Sequence, residues 1–360
     1  MQIGIVGLPF SGKSTLFQTM TQTHLDEATL HHRQSNTSVV KVPDPRLSQL
    51  TEIFHPKKEV RAAIEFVDVV GLKKGDHSST QFTGNFLASV KTNDALLHVV
   101  RMFDNPLYPH PEGSIDAERD VQILEMEFML ADMAMIETRI DRVKKTAQKS
   151  GDAAAKLELP LLERLLAALE KELPLRTVEM HAGEKKMIKG YQFLSMKPQL
   201  VALNMEEKDI QKKDSIVSDL QSKYEAKGMK IESFFGQIEM ELSQLSDEDA
   251  AGFMAEYGIT ESALNRIIRD AYGLLGLQSF FTAGEDETRA WTITKGMNAQ
   301  ESAGEIHSDF FEKFIRAEVV HFEDFIKHGS FAKCKEHGAW RLEGKEYIVE
   351  DGDILNIRHG

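Results

Sequence analysis

The run Gly7-Leu8-Pro9-Phe10-Ser11-Gly12-Lys13-Ser14, near the start of this 360-residue chain, limits its fold more than any other feature. It fits the phosphate-loop pattern of Gly, four residues, then Gly-Lys-Ser. The apolar segment Ile3 to Val6 before it reads as a short buried strand, and Thr15-Leu16-Phe17 after it opens a helical pattern. In that context backbone N–H groups close around phosphate oxygens at a helix N-terminus, where the dipole favours negative charge. A glycine-rich turn without function would not need both flanks. Gly7, Pro9, Ser11, Gly12, Lys13, Ser14 and Thr15 are the expected phosphate-binding residues. Lys13 would reach the β- and γ-phosphates, and the Ser14 hydroxyl would ligate Mg2+.

Further along, Ile64-Glu65-Phe66-Val67 runs into Asp68-Val69-Val70-Gly71. A carboxylate at a strand end followed by Gly suits a second switch: Asp68 holds Mg2+ through water, and the Gly71 N–H meets the γ-phosphate. Leu72 stands where many small GTPases carry a glutamine that orients the attacking water, so hydrolysis is slow or is assisted from elsewhere. The polar stretch from Thr21 to Ser38 suits a first switch, with Thr23, Thr29 and Thr37 all open as the Mg2+-reaching hydroxyl. His31 and His32 within it read equally well as surface-loop residues, and Lys73 to Thr83 reads as a mobile switch loop. Ala95 to Val100 is a further buried strand, with His98 as a packed sheet residue rather than a catalyst.

Met126, Leu130, Met133, Ile136, Ile140 and Val143 then recur at helical spacing, and Leu162, Leu165, Leu166, Leu169 and Leu173 do so again beyond a polar break. The pair predicts an antiparallel helical hairpin with a solvated face that includes Arg139, Arg142, Lys144 and Lys145. The sheet resumes at Gln199 to Leu203 and ends in Asn204-Met205-Glu206-Glu207. Guanine-specific GTPases carry Asn-Lys-x-Asp at this strand end; here Met205 replaces the Lys and Glu207 the Asp, which favours adenine. With the loop at Gly236-Gln237 after the last strand, Ile231 to Phe235, the expected base-binding residues are Asn204, Met205, Glu207 and Gly236. From Phe281 onward the chain predicts a small β-rich domain without catalytic signature: strands at Arg289 to Ile293 and Ile315 to Val320, a helix start at Ala303 to Ile306, and a strand-turn-strand from Glu346 to Ile357.

The net charge of −14 argues against broad nucleic-acid binding, and sequence-specific DNA is not an expected partner. No apolar run approaches the roughly 20 residues of a membrane span, so no membrane partner is expected. With the first residues reading directly into a strand, no signal or transit peptide is expected. Cys334 is the single cysteine, which excludes an intrachain disulfide and fits a cytoplasmic location.

The order of these parts resembles the YchF/Obg-like ATPase family over essentially the whole chain. The resemblance rests on Val42-Pro43-Asp44-Pro45-Arg46, on His98-Val99-Val100-Arg101, and on the Asn204 to Glu207 strand end. It rests most specifically on Leu274-Leu275-Gly276-Leu277-Gln278, Phe281-Thr282-Ala283-Gly284, Arg289-Ala290-Trp291-Thr292 and Trp340-Arg341-Leu342-Glu343-Gly344-Lys345. The resemblance implies an α/β chain: a Ras-like P-loop NTPase domain at 1–120 plus 196–278, an inserted α-helical coiled-coil hairpin at 121–195, and a C-terminal β-grasp (TGS) domain at 279–360. It implies ATP in preference to GTP, Mg2+, slow hydrolysis, a ribosome or ribosomal subunit as partner, and His110 as the water-positioning catalytic group. Three departures touch the nucleotide: Phe10-Ser11 stand in place of Asn-Val, the family's threonine slot in the first switch falls on His32, and Phe235-Gly236-Gln237 replaces a Ser-Ala pair. The missing Asn bears on potassium stimulation. Three readings stay open: a slow ATPase switch, a GTP-binding GTPase, and a hydrolysis-deficient ribosome- or protein-binding adaptor.

Overall fold

The computed structural model describes residues 1–21, 36–69, 84–150 and 153–360. Gly71, Leu72, Thr23, Thr29, His31, His32 and the segment expected to be the second switch loop lie outside them. The described chain divides into two compact units, residues 1–38 with 65–267, and residues 39–64 with 268–360.

Among the described residues, twelve strands form two sheets. They are β1 (Gln2–Val6), β2 (Asn36–Lys41), β3 (Glu59–Val60), β4 (Ala63–Asp68), β5 (Ala95–Met102) and β6 (Gln199–Met205). The rest are β7 (Met229–Phe234), β8 (Leu277–Thr282), β9 (Thr288–Thr294), β10 (Phe314–His321), β11 (Arg341–Glu343) and β12 (Asp353–His359). The first sheet has the order β2-β4-β1-β5-β6-β7, and the pairs from β4 through β7 are parallel. A parallel sheet covered on both faces needs strands that are apolar on both sides. The sequence supplies them: Ile3 to Val6, Ala95 to Arg101 and all of β6 are buried.

The helices of the first unit begin with α1 (Lys13–Thr21); α2 (Pro45–Phe54) belongs to the second unit. The first unit continues with α3 (Gly84–Lys91), α4 (Ala117–Ser150), α5 (Ala153–Leu169), α6 (Ala182–Ile188), α7 (Lys213–Tyr224) and α8 (Gly236–Leu242). Helices α4 and α5 form the expected hairpin, closed by Met129, Ile136, Ile140 and Val143 against Leu161, Leu162, Leu165 and Leu169. The stripe differs from the expected one at its start. Met126 and Leu130 are exposed, whereas Leu124 and Phe128 are buried with Val6 and Leu96 of the sheet. The helix changes neighbours along its length, from sheet to α5, so its buried face rotates. Leu173 is exposed because α5 ends at Leu169. Arg139 is not simply solvated: its guanidinium pairs in bidentate fashion with Glu158 across the hairpin, at 2.8 Å for both contacts.

Two buried polar knots fix the hairpin to its base. Arg176 reaches Glu125 Oε1 at 2.8 Å, the Lys227 carbonyl at 2.7 Å and the Ser195 carbonyl at 3.2 Å. Asp132 accepts from the Leu194 and Ser195 N–H groups and from the Ser195 hydroxyl at 2.7–2.9 Å. Burial pushes its carboxyl up to about 6 despite those donors.

The second unit carries the sheet β11-β10-β12-β8-β9-β3. Strands β8 and β9 form an antiparallel hairpin, β12 joins β8 in parallel and β10 runs antiparallel to β12. Helix α9 (Asp247–Glu256) belongs to the first unit, α10 (Ala263–Leu274) runs from the first into the second, and α11 (Ala299–Ile306) lies in the second, its start fixed by an Asn298–Glu301 capping box. Phe280, Ile293, Ala299, Ala317, Val319 and Leu355 close this β-grasp core. The strand expected at Glu346 to Val349 is reduced to a single bridge between Ile348 and Asn298. Buried Asp353 accepts from the Tyr347 hydroxyl and the Glu350 N–H, which turns the chain instead of extending it. In the same unit Arg46 at the start of α2 holds Asp44 and Asp351 together, with contacts of 2.9 Å to each.

Candidate nucleotide site

The loop after β1 leaves the sheet at its carboxyl edge, where parallel α/β sheets place their ligands. Gly7 has φ 148° and Gly12 φ 96°, and a Cβ at either would fall 2.3 Å from a neighbour, the Val99 carbonyl or Asn204 Nδ2. Only glycine fits there, and the result is a backbone cradle of phosphate-loop shape. Lys13 opens α1; its Nζ donates to the Leu8 carbonyl at 2.8 Å across the loop. Burial lowers the Lys13 ammonium to about 8, partly opposed by Asp68. The Ser14 hydroxyl lies 3.1 Å from Asp68 Oδ2. Strand register explains that contact, because Ile5 of β1 pairs with Asp68 at the end of β4. Burial raises the Asp68 carboxyl, with Ser14 and Lys13 pulling it back. His98 pairs with Val6 and is held neutral, its imidazole lowered to about 3 by burial and then by Lys13. It is the packed sheet residue the sequence suggested.

Beside the cradle lies a cavity of about 670 Å3, with Gly12 and Thr15 on its phosphate-loop side and Asn204, Met205, Glu207 and Gly236 on another. All four expected base-binding residues therefore meet in one place. Asn204 also has a structural role. Its Nδ2 donates to the Ser11 carbonyl at 3.1 Å, and its Oδ1 accepts from the Gly236 N–H at 3.1 Å. Gly236 is the first residue of α8 rather than part of a loop, and Phe235 gives that helix no side-chain cap. The Asn204 amide caps it from the neighbouring strand and ties the phosphate loop to β6. The two strand-end carboxylates are also engaged. Glu206 accepts from the Asp104 N–H and pairs with Lys208, both at 2.5 Å. Glu207 stands beside the Tyr257 phenol and raises it.

His110 is nearly buried, with Nε2 2.9 Å from Asp120 Oδ2 and Nδ1 accepting from the Glu112 N–H at 3.2 Å. Its ring nitrogens face these groups, not the phosphate loop. Sequence reasoning did not assign site roles to Phe10, Arg101 and Tyr108, which also line the cavity. The aromatic at Phe10 inside a glycine-rich loop was the available signal.

Phosphate-gripping glycines at the carboxyl edge of a parallel sheet, with a buried lysine and a serine–aspartate pair beside them, make this chain a P-loop NTPase. Residues 2–138 match a family model described as "50S ribosome-binding GTPase", and residues 277–360 match the YchF GTPase C-terminal model, described as "Protein of unknown function (DUF933)". Ribosome-binding ATPase YchF of Haemophilus ducreyi is 42% identical over 357 residues, covering 99% of this chain and 98% of the relative. Obg-like ATPase 1 of Homo sapiens is 37% identical over 363 residues, covering 99% of this chain and 91% of the relative. The solved structure of the Schizosaccharomyces pombe YchF GTPase superposes with a TM-score of 0.86 at 30% identity, covering 99% of this chain and 97% of that one. The chain belongs to the YchF family.

Proposed function

We propose that this chain is a slow ATPase that acts as a nucleotide-dependent switch on the ribosome in the cytoplasm. The names of its relatives, ribosome-binding ATPase and Obg-like ATPase, support the partner and the reaction class. Phosphates would sit in the cradle of Gly7, Pro9, Ser11 and Gly12, with Thr15 and Lys13 beside them; Gly71, expected at the γ-phosphate from the sequence, lies outside the described residues. The residues present suit Mg2+: a hydroxyl and a carboxylate oxygen 3.1 Å apart are hard-oxygen ligands of the right kind. Ser14 would bind the ion directly and Asp68 through water, and the ion would neutralise charge on the β- and γ-oxygens. Lys13 moves its ammonium from the Leu8 carbonyl to the phosphates. The water-positioning role of His110 requires its ring to turn away from Asp120.

One observation carries the choice of adenine. Guanine readout needs a strand-end Asp that accepts from the two guanine N–H donors, but here Glu206 accepts from the Asp104 N–H and pairs with Lys208, and the position of that Asp holds the longer Glu207 beside the Tyr257 phenol. Adenine presents its amino group beside the N1 acceptor rather than two adjacent N–H donors, so it does not call for that carboxylate. Titration calorimetry of nucleotide-free protein with ATP and GTP analogues in Mg2+ tests the assignment. ATP binding at least about tenfold tighter, or about 1.4 kcal/mol, is expected. Equal or GTP-favoured binding would install the GTPase reading in its place, and nucleotide binding without turnover even with ribosomes would install the adaptor.

A further inference from the structure

The phosphate loop carries an unusual residue conformation. Phe10 has φ 62°, the left-handed region that bulky residues rarely adopt. A strained residue of this kind persists where its surroundings over-determine it, and such outliers cluster at ligand clamps. Here the surroundings are aromatic: the Phe10 ring stacks on Tyr108 with centroids 5.2 Å apart and planes 28° apart. Both rings line the cavity that adjoins the phosphate cradle. Tyr108 is held by a buried guanidinium. Arg101, 1% exposed at the end of β5, donates from Nη1 to the Tyr108 carbonyl at 2.8 Å and from Nε to the Phe103 carbonyl at 2.9 Å. The pairing of Arg101 with Asn204 in neighbouring strands sets this loop beside the base-side residues.

We propose that Phe10 and Tyr108 form an aromatic wall that binds the nucleoside part of the nucleotide, with Arg101 as its positioning residue. The proposal rests on the nucleotide reading above and adds a specificity element to it. A phosphate loop alone grips any polyphosphate through backbone N–H groups. An aromatic face adds stacking and apolar contact available only to a ligand that carries a base and ribose. Because Phe10 lies within the loop itself, phosphate grip and nucleoside contact come from one short segment.

The test compares Mg2+-ATP with inorganic tripolyphosphate, which lacks the nucleoside, by titration calorimetry on the full chain. Phe10→Gly removes the ring while keeping a residue that tolerates positive φ, and Tyr108→Leu removes the partner ring. Each is expected to weaken ATP binding about tenfold or more while leaving tripolyphosphate within about twofold of wild type. Tyr108→Phe, which keeps the ring, should retain ATP affinity. Unchanged ATP affinity in both ring-removing variants would overturn the proposal, and so would equal losses for ATP and tripolyphosphate. If the wild-type chain bound neither ligand, the nucleotide reading itself would fall, which is a separate result from a wall that does nothing.

Discussion

Lys13 should make nucleotide affinity fall on the alkaline side in a way that ordinary lysines do not. Its ammonium is buried, and with no phosphate present it is lowered from the usual 10.5 to about 8. A bound triphosphate brings several negative charges to the ammonium, which raises it again. Below pH 8 both free and bound forms hold the proton, so affinity is flat with respect to this group. Above pH 8 the free protein loses the proton and binding must recover it. The dissociation constant should then rise about tenfold between pH 7 and pH 9, a loss of about 1.4 kcal/mol. The neighbouring His98, lowered to about 3, stays neutral throughout this range. Calorimetry in two buffers of different ionisation enthalpy at pH 9 should show the uptake of nearly one proton on binding. In the ligand-free protein the unfolded chain holds this proton more tightly, so the contribution of Lys13 to stability should rise with pH from about 8 to 10.5. Affinity that stays constant from pH 7 to 9, with no proton uptake, would refute the claim that the burial of Lys13 governs its charge.

Asp68→Asn should weaken Mg2+-dependent ATP binding by about 10- to 100-fold, as for loss of a water-mediated metal partner, with little change in EDTA; comparable losses with and without Mg2+ would assign Asp68 another role. Arg176→Met should destabilise the first unit by about 3–5 kcal/mol, because it leaves Glu125 buried without its charge partner. Urea unfolding would measure this, and a loss under about 1 kcal/mol, the scale of a surface pair, would show the knot to be unimportant.

Much of the first sheet and the phosphate cradle was legible because both depend on local pattern. Apolar runs such as Ile3 to Val6 have few places to go except a covered parallel sheet, and the loop glycines announce backbone that no side chain can follow. What stayed hidden depends on tertiary neighbours. Asn204 reads in sequence as a base contact, and nothing local announces that its amide also bridges Ser11 and Gly236, residues far away along the chain. Met126 and Leu130 fit a helical stripe but face outward, since periodicity gives a face and not the partner it packs on. Residues 39–64 join the C-terminal unit through the β3–β9 pairing, Glu59 with Thr288 and Val60 with Arg289, and through contacts such as Arg46–Asp351 and Phe54–Phe325, which no local pattern announces. The Phe10–Tyr108 stack required a backbone conformation that propensity disfavours, so only the structure could reveal it.

The Arg176 knot also sets the mechanics of the hairpin. It clamps α4 at Glu125 to two backbone carbonyls of the body, and α4 continues as one unbroken helix to Ser150. That span is a lever arm of about 37 Å at 1.5 Å per residue. Rotation of the clamped end by about 5° sweeps the far end through about 3 Å, the size of a hydrogen-bond contact. A displacement too small to disturb the sheet at the root therefore becomes, at the tip, the difference between touching a surface and missing it.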